Sequence, residues 1–257
     1  MATYNKRGYK PKNKEAKAHD IETGSTTAEV FNTLDETASK TEAFVEKNQK
    51  FIFIIIGIVA AVVLGYLGYT EFIAKPKQAT AMNEMNQAQK YFDQAIVGVE
   101  KDSLFNLALN GGEGKFGMLD IISEYKGTPA ANLANYYAGT AYLKLKDYKN
   151  AIAYLNNFTS NDEILAPLAK GNIGDAFVQL NQLEDALDYY EQAAKMREND
   201  YTTPMYLYKA GTIALDLGNA DKALTYFETI KEKYPNASDI AMVDVLLGKA
   251  KVMANKY

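Results

Sequence analysis

The chain has 257 residues, which is enough for one globular domain with appended segments. It contains no cysteine and one histidine, His19, in a polar stretch, so the composition excludes disulfide frameworks, thiolate metal sites, cysteine nucleophiles and histidine acid–base catalysis. The net charge is −4, with 9 basic and 8 acidic residues before residue 51 and 19 and 24 after residue 69, so the larger part offers no general attraction to nucleic acid.

The segment that precedes the first apolar run divides into two parts. Residues 1–28 are rich in Lys, Asn, Gly, Thr and Ser, and they cannot bury enough apolar surface to offset chain entropy, so they are predicted to be disordered. Residues 29–50 are predicted to form an amphipathic juxtamembrane helix, which could lie on the membrane surface or dock on a partner. Its apolar face has side chains three or four positions apart: Val30, Phe31, Leu34, Ala38, Thr41, Phe44 and Val45.

A run of 19 residues without a charge, from Phe51 to Tyr69, predicts a transmembrane helix within an anchor that covers residues 51–73. At 1.5 Å per residue the run is about 28 Å long, close to the thickness of the hydrocarbon core. Twelve of its residues are Phe, Ile, Val or Leu, which together favour insertion by roughly 4 to 7 kcal/mol. A single membrane span is therefore expected.

The flanks of this run predict an uncleaved anchor with a cytoplasmic N-terminus. Fifty residues precede the run, and the run is longer than the apolar core of a signal peptide. Lys40, Lys47 and Lys50 on the N-terminal side outnumber Lys75 and Lys77 on the other, and basic residues stay on the cytoplasmic side. The large domain is expected on the opposite side of the membrane.

Small residues recur every four positions within the span, at Gly57, Ala61 and Gly65. Such spacing places them on one helix face, where a second helix can approach closely. We predict that this face packs against another transmembrane helix.

One pattern occurs three times in the second half of the chain, with a period of 35 and then 37 residues. In each copy a glycine precedes an alanine by twelve positions, and a large apolar or aromatic residue follows four positions later. The pattern resembles the tetratricopeptide repeat, with its Leu-Gly-x-x-Tyr and Ala-x-x-x-Phe motifs and a closing proline, here Pro235. The three copies are Gly139, Ala151 and Leu155; Gly174, Ala186 and Tyr190; and Gly211, Ala223 and Phe227.

This resemblance implies an all-α fold, a tetratricopeptide-repeat helical solenoid behind the single N-terminal transmembrane helix. Small residues fit where antiparallel helices cross, and larger ones fill the gaps beside them. A final helix would cover the apolar face of the last repeat. We place the domain at 80–257, with repeats at about 132–160, 167–198 and 204–235 and the final helix at 237–256.

The resemblance also implies a protein-binding site, because the first helix of each repeat lines the concave face in this family. An apolar, tyrosine-rich groove suits extended or partly unfolded apolar segments. The alternative is that several of these residues belong to the core between repeats. No catalytic residue, cofactor, metal or small-molecule substrate is expected. The predicted groove residues are Leu133, Tyr136, Thr140, Leu143, Leu168, Asp175, Val178, Met205, Tyr208, Thr212 and Leu215.

The order of segments is similar to that of the YfgM-type ancillary subunit of the bacterial Sec translocon, over most of residues 45–257. It comprises a tail, one anchor, a helix at Phe116 to Tyr125 with the sequence Gly-Thr-Pro-Ala-Ala at 127–131, and then repeats. The resemblance implies a bacterial inner-membrane protein with its repeats in the periplasm. Its partners would be translocon subunits of the SecYEG channel, a membrane-anchored periplasmic chaperone and secreted client polypeptides.

Two other functions fit the same segments. A scaffold or adaptor of an envelope-assembly or cell-division complex would hold one folded partner in a defined stoichiometry. A receptor on an organelle membrane would need the opposite orientation and a charged groove, and the predicted groove carries little charge.

Overall fold

The computed structural model describes residues 26–98, 101–237 and 240–255. Over these residues the regular structure is helical, and the one bridged pair, Gly112 with Lys115, belongs to a turn. The predicted all-α class is confirmed. The chain separates into two compact units between Tyr69 and Thr70. The predicted disordered tail lies outside the described residues except for positions 26–28, which begin the first helix.

The first unit consists of helix α1, Thr26–Tyr69. A helical segment, Thr37–Val97, is long and apolar enough by length and composition to cross a membrane. Its most apolar 18-residue window has a mean hydropathy of 2.7, and none of that window is buried. The juxtamembrane helix predicted at 29–50 and most of the anchor predicted at 51–73 lie within α1, and the π-helix Thr70–Ala74 follows.

The second unit continues from the π-helix with ten α-helices among its described residues. Three of them precede the repeats, six form the three helical hairpins of the repeats, and one follows. They are α2 Lys75–Val97, α3 Lys101–Asn110, α4 Met118–Glu124, α5 Pro129–Lys144, α6 Tyr148–Asn157, α7 Leu165–Gln179, α8 Leu183–Met196, α9 Thr202–Asp216, α10 Ala220–Lys233 and α11 Ile240–Met253.

The turn inside each hairpin uses one residue in the left-handed conformation at the same place in the repeat. These residues are Lys146 (φ 64°), Asn181 (φ 56°) and Gly218 (φ 74°). The backbone N–H of the next residue bonds to a carbonyl five residues back, as at Asp147, whose N–H donates to the Tyr142 carbonyl over 2.9 Å. A left-handed residue at this point ends the first helix and reverses the chain.

The glycine of each copy meets the large side chain that lies sixteen positions later. A Cβ atom at Gly139 would lie 2.6 Å from Cγ of Leu155, and one at Gly174 would lie 2.7 Å from the ring of Tyr190. The third pair, Gly211 and Phe227, repeats this contact at 2.6 Å. Because only a glycine leaves room for the larger partner, the crossing of each hairpin depends on this pairing.

The core extends through the second unit as adjoining clusters. At one end, α2, α3 and α4 pack on α5, where the ring of Phe92 meets the ring of Tyr137 edge-on with centroids 5.0 Å apart. At the other end, α11 packs on the last repeat, with Val243 and Leu247 buried against the side chains of α9 and α10. The three repeats are therefore packed at both ends, against α2, α3 and α4 at one end and against α11 at the other.

Candidate protein-binding face

The first helices of the three repeats, α5, α7 and α9, lie side by side. An amide N–H of Asn172 on α7 donates to the Thr140 hydroxyl on α5 over 3.3 Å. The ammonium of Lys209 on α9 donates to both carboxylate oxygens of Asp175 on α7, at 2.6 and 2.9 Å. We call the surface built by α5, α7 and α9, which carries the eleven predicted residues, the first-helix face.

The structure divides the eleven predicted residues by exposure. Thr140 and Leu215 are buried, at 8% and 4% exposed, and they belong to the interior between helices. The others are half-buried, so part of each side chain is open to a ligand. These are Leu133, Tyr136, Leu143, Leu168, Asp175, Val178, Met205, Tyr208 and Thr212.

Two of the half-buried residues, Met205 and Tyr208, line a cavity of about 510 Å³ bounded by α9, the end of α10 and α11. Its wall combines apolar and polar groups and includes Tyr201, which is 62% exposed, and Val243 of α11. Lys209 and Asp200 contribute charged groups, and we call this site the C-terminal cavity. The wall includes residues that the repeat pattern does not predict, because Asp200 and Tyr201 precede α9 and Val243 follows the repeats.

A second cavity, of about 340 Å³, brings together three predicted residues at the C-terminal ends of α5 and α7: Leu143, Asp175 and Val178. Lys144 and Lys146 border it. Residues of the first helices line both cavities, and both walls combine apolar and charged groups.

The N-terminal part of the face is more tightly packed. The ring of Tyr136 contacts the ring of Phe158, with centroids 5.3 Å apart, and lies 5.9 Å from that of Tyr137. Burial, with a smaller contribution from Tyr137, raises the pKa of the Tyr136 hydroxyl above its ordinary value. Leu133 packs on two core clusters. These contacts hold the side chains of Leu133 and Tyr136 in place.

A polar cluster joins the second and third repeats within the face. The hydroxyl of Tyr190 donates to Asp175 over 2.6 Å, and the Lys209 ammonium lies 5.5 Å from the ring centroid of Tyr190 and 5.7 Å from that of Tyr206. Burial and then the negative charge of Asp175 raise the pKa of Tyr190, so its hydroxyl stays protonated as a donor. The cluster fixes Asp175 and Lys209 in position.

Lys209 and Asn172 were not among the predicted residues, although a signal for them is present in the sequence. Lys209 lies 34 positions after Asp175, and Asn172 lies 32 positions after Thr140. Both separations are close to the repeat period of 35 to 37, so polar residues about one period apart can meet on adjacent first helices. The pattern does not show which of the many such pairs face each other.

The small residues predicted to pack in the membrane lie on an open helix surface. Gly57, Ala61 and Gly65 belong to α1, and a Cβ atom added at either glycine would meet nothing within 4 Å.

The residues that the structure describes hold no group of three His, Asp or Glu side chains that could bind a metal ion.

Two stretches of the chain match family models described as tetratricopeptide repeat, residues 133–162 and 172–238. They fall on the three hairpins α5–α6, α7–α8 and α9–α10. Among solved structures, the chain is similar to the crystal structure of MamA protein, at 17% sequence identity and a TM-score of 0.45, with 70% of this chain and 84% of that chain covered. No curated protein matches the chain.

Proposed function

This chain contains tetratricopeptide repeats, and on that premise we propose that it is a membrane-anchored module whose first-helix face binds an extended, apolar segment of another protein. The observation that carries the proposal is the C-terminal cavity, where Met205 and Tyr208 of the third repeat line a space with apolar and polar walls. Repeats of this kind are protein-interaction modules, and the cavity offers such a partner a place to insert a side chain.

The chemistry of the face suits apolar side chains more than charged ones. Met205 adapts its flexible thioether to different partners, and Tyr201 and Tyr208 combine apolar ring faces with a polar hydroxyl. The volume of about 510 Å³ accommodates one or two side chains of a bound segment rather than a folded domain. Asp200 and Lys209 at its wall would bond to backbone groups of that segment, which favours binding with little dependence on its sequence.

We propose that α1 anchors the module in a membrane. The uncharged run from Phe51 to Tyr69 supports a membrane span, and the excess of lysines before it supports a cytoplasmic N-terminus. With that orientation the repeats would lie in the periplasm of a bacterial inner membrane. A segment that binds the face would then be a polypeptide on the outer side of that membrane.

The specific role that we propose is that of an accessory subunit of the Sec translocon, which assists periplasmic chaperoning of secreted proteins. The support is the order of segments, with one uncleaved anchor ahead of the repeats, together with a binding face suited to unfolded apolar segments. Its partners would be translocon subunits, a membrane-anchored periplasmic chaperone and the emerging clients. The rival proposal, a scaffold for envelope assembly or cell division, predicts one folded partner at fixed stoichiometry.

Affinity purification of the full tagged chain from its native membrane in mild detergent tests this role, with quantitative mass spectrometry of the proteins that are recovered. The binding variant is Met205→Glu, which places a charge in the C-terminal cavity. The matched control is Met196→Glu, because Met196 is an exposed methionine at the end of α8, a second helix.

We expect translocon subunits, a periplasmic chaperone and substoichiometric secreted proteins in the wild-type sample. We expect Met205→Glu to reduce the secreted proteins several-fold and Met196→Glu to leave them unchanged. If the chain instead recovers one envelope-assembly or cell-division complex in amounts near its own, without translocon subunits, the result would contradict the secretion role and support the scaffold role.

A further inference from the structure

Helix α11 has an apolar stripe on the side that points away from the repeats. Its inner side, with Val243, Leu247 and Ala250, is buried against the last repeat. The opposite side carries residues at spacings of four, three and four, which place them in one line along the helix. This outer stripe consists of Ala241, Val245, Gly248 and Val252.

The outer stripe is exposed throughout. Val245 is 65% and Val252 is 57% exposed, and a Cβ atom added at Gly248 would meet nothing within 4 Å. No element of the part of the chain that the structure describes covers it. In a solenoid that is soluble as a monomer, the outer face of the end helix is polar. An apolar stripe on that face of α11 therefore indicates that another protein surface covers it.

We propose that the outer stripe pairs with the same stripe of a second copy of this chain, with the two α11 helices antiparallel about a two-fold axis. In such an interface each contact occurs twice, because residue i of one copy meets residue j of the other and the reverse. With the axis midway between Val245 and Gly248, each Val245 lies opposite the second copy's Gly248. Each Val252 then lies opposite the second copy's Ala241.

The sizes of these side chains fit the antiparallel arrangement. Each position with a branched side chain is opposite a glycine or an alanine, which lets two helices approach closely without an overlap. A parallel arrangement would instead place Val245 against Val245 and Gly248 against Gly248. The order of small and large residues along the stripe therefore selects the antiparallel pair.

The charges beside the stripe also complement each other. Asp244 and Lys251 lie on the same flank of α11, and in an antiparallel pair the equivalent flanks of the two helices adjoin. Asp244 of one copy therefore comes close to the second copy's Lys251, and the symmetry produces two such pairs. Asp244 already bonds to Lys231 of its own chain through Oδ1 at 2.6 Å, which leaves Oδ2 for the second lysine.

The other flank carries Met242 and Lys249, so the aliphatic stem of each lysine covers the second copy's methionine. The interface is short, since 14 residues of helix extend over about 21 Å, so we expect a weak dimer that dissociates on dilution. Val243, which lines the C-terminal cavity, is on the opposite side of α11, and the pairing does not occupy that cavity.

Thiol crosslinking of the full chain in detergent micelles tests the pairing, because the chain contains no cysteine and each variant then has one thiol. A cysteine at Val245, which is 65% exposed and no larger than the valine, lies near the two-fold axis, within reach of a short bis-maleimide from its symmetry mate. The matched control is Glu184→Cys, an exposed position on α8.

We expect Val245→Cys to give a crosslinked dimer in at least tenfold greater yield than Glu184→Cys. Adding Val252→Asp, or Lys251→Asp, should reduce that yield at least fivefold, and Asp244→Lys together with Lys251→Asp should restore part of it. Circular dichroism of each variant checks that the helices remain folded. Equal yields from the two thiols, or a yield that Val252→Asp leaves unchanged in folded protein, would overturn the proposal.

Discussion

Gly171 of the second repeat lies against the ring of Tyr206 of the third repeat, so closely that a methyl group at position 171 would overlap the ring atoms. Tyr206 is almost fully buried, and its ring also stacks on that of Tyr190, with centroids 6.1 Å apart and planes 19° apart. This contact joins two successive first helices, α7 and α9. The distance between α7 and α9 therefore depends on the absence of a side chain at position 171.

The variant Gly171→Ala is expected to lower the free energy of unfolding by about 1–3 kcal/mol, because Tyr206 must move out of a packed site. Denaturant unfolding of the chain in dilute detergent, followed by circular dichroism, measures the change. The matched control is Gly248→Ala, also in a helix and with no atom of its own chain nearby, which in protein dilute enough to be monomeric should raise the free energy of unfolding by about 0.5–1 kcal/mol. Equal effects of the two substitutions would show that the Tyr206 contact is not decisive.

The hydrogen bond from the Tyr190 hydroxyl to Asp175 predicts an asymmetry between the two partners. Asp175→Ala leaves a nearly buried hydroxyl without its acceptor and also removes the carboxylate that pairs with Lys209, so it should cost about 1–3 kcal/mol of unfolding free energy. Tyr190→Phe removes the hydroxyl itself and should cost less, about 0.5–1.5 kcal/mol. The double variant, measured by denaturant unfolding, should fall short of the sum of the single costs, and strict additivity would contradict the assigned bond.

Glu191 on α8 predicts a pH-dependent contribution to stability. Burial acts to raise its pKa, but hydrogen bonds from Lys222 and Tyr226 and the charges of Lys222 and Lys195 outweigh burial, so its pKa lies below the ordinary value. A carboxylate with a lowered pKa stabilises the fold fully above its unfolded-state pKa of about 4.5, and this stabilisation is lost as the pH falls through the folded value.

Glu191→Gln should therefore be less stable than the wild type at pH 7 by about 1 kcal/mol, and the difference should shrink below about pH 4.5. Thermal unfolding from pH 3 to pH 7 measures it, with Glu184→Gln as an exposed control on the same helix. A difference between wild type and Glu191→Gln that stays constant over this range would contradict the proposed network.

The proposed orientation predicts which side of the membrane each segment reaches. Single-cysteine variants are clean probes because the natural chain has none. A membrane-impermeant maleimide should label Lys149→Cys, in the repeats, in intact spheroplasts, and it should label Asn48→Cys, before the span, only after lysis. The reverse pattern would place the repeats in the cytoplasm and contradict the periplasmic role.

The sequence predicts the fold well because its main signal is the size of side chains at helix crossings. Gly174 and Tyr190 are sixteen positions apart in a pattern that occurs three times, and they meet as the repeat requires. The two family matches, at 133–162 and 172–238, confirm the predicted tetratricopeptide-repeat fold. The π-helix Thr70–Ala74 has no counterpart in the sequence prediction, since apolar periodicity does not distinguish it from the adjoining α-helices.

The first-helix face is less predictable, because local spacing assigns a residue to a helix but does not show whether its side chain is buried or exposed. Thr140 and Leu215 match face positions yet are buried between helices. Conversely, Asp200 and Tyr201 lie before α9 and outside the repeat pattern, although they line the C-terminal cavity. Lys209 joins the face through Asp175, a pairing between repeats that only the three-dimensional arrangement identifies.

Site-specific photo-crosslinking tests the central claim that the first-helix face contacts another protein. Benzoylphenylalanine placed at Tyr208, in the C-terminal cavity, is compared with the same group at Met196, on the end of α8, in cells that make the full chain. We predict crosslinked adducts to other polypeptides from position 208, lost when Met205→Glu is added, and few from position 196. Adducts of equal yield from both positions, or none from position 208 in folded protein, would contradict the claim.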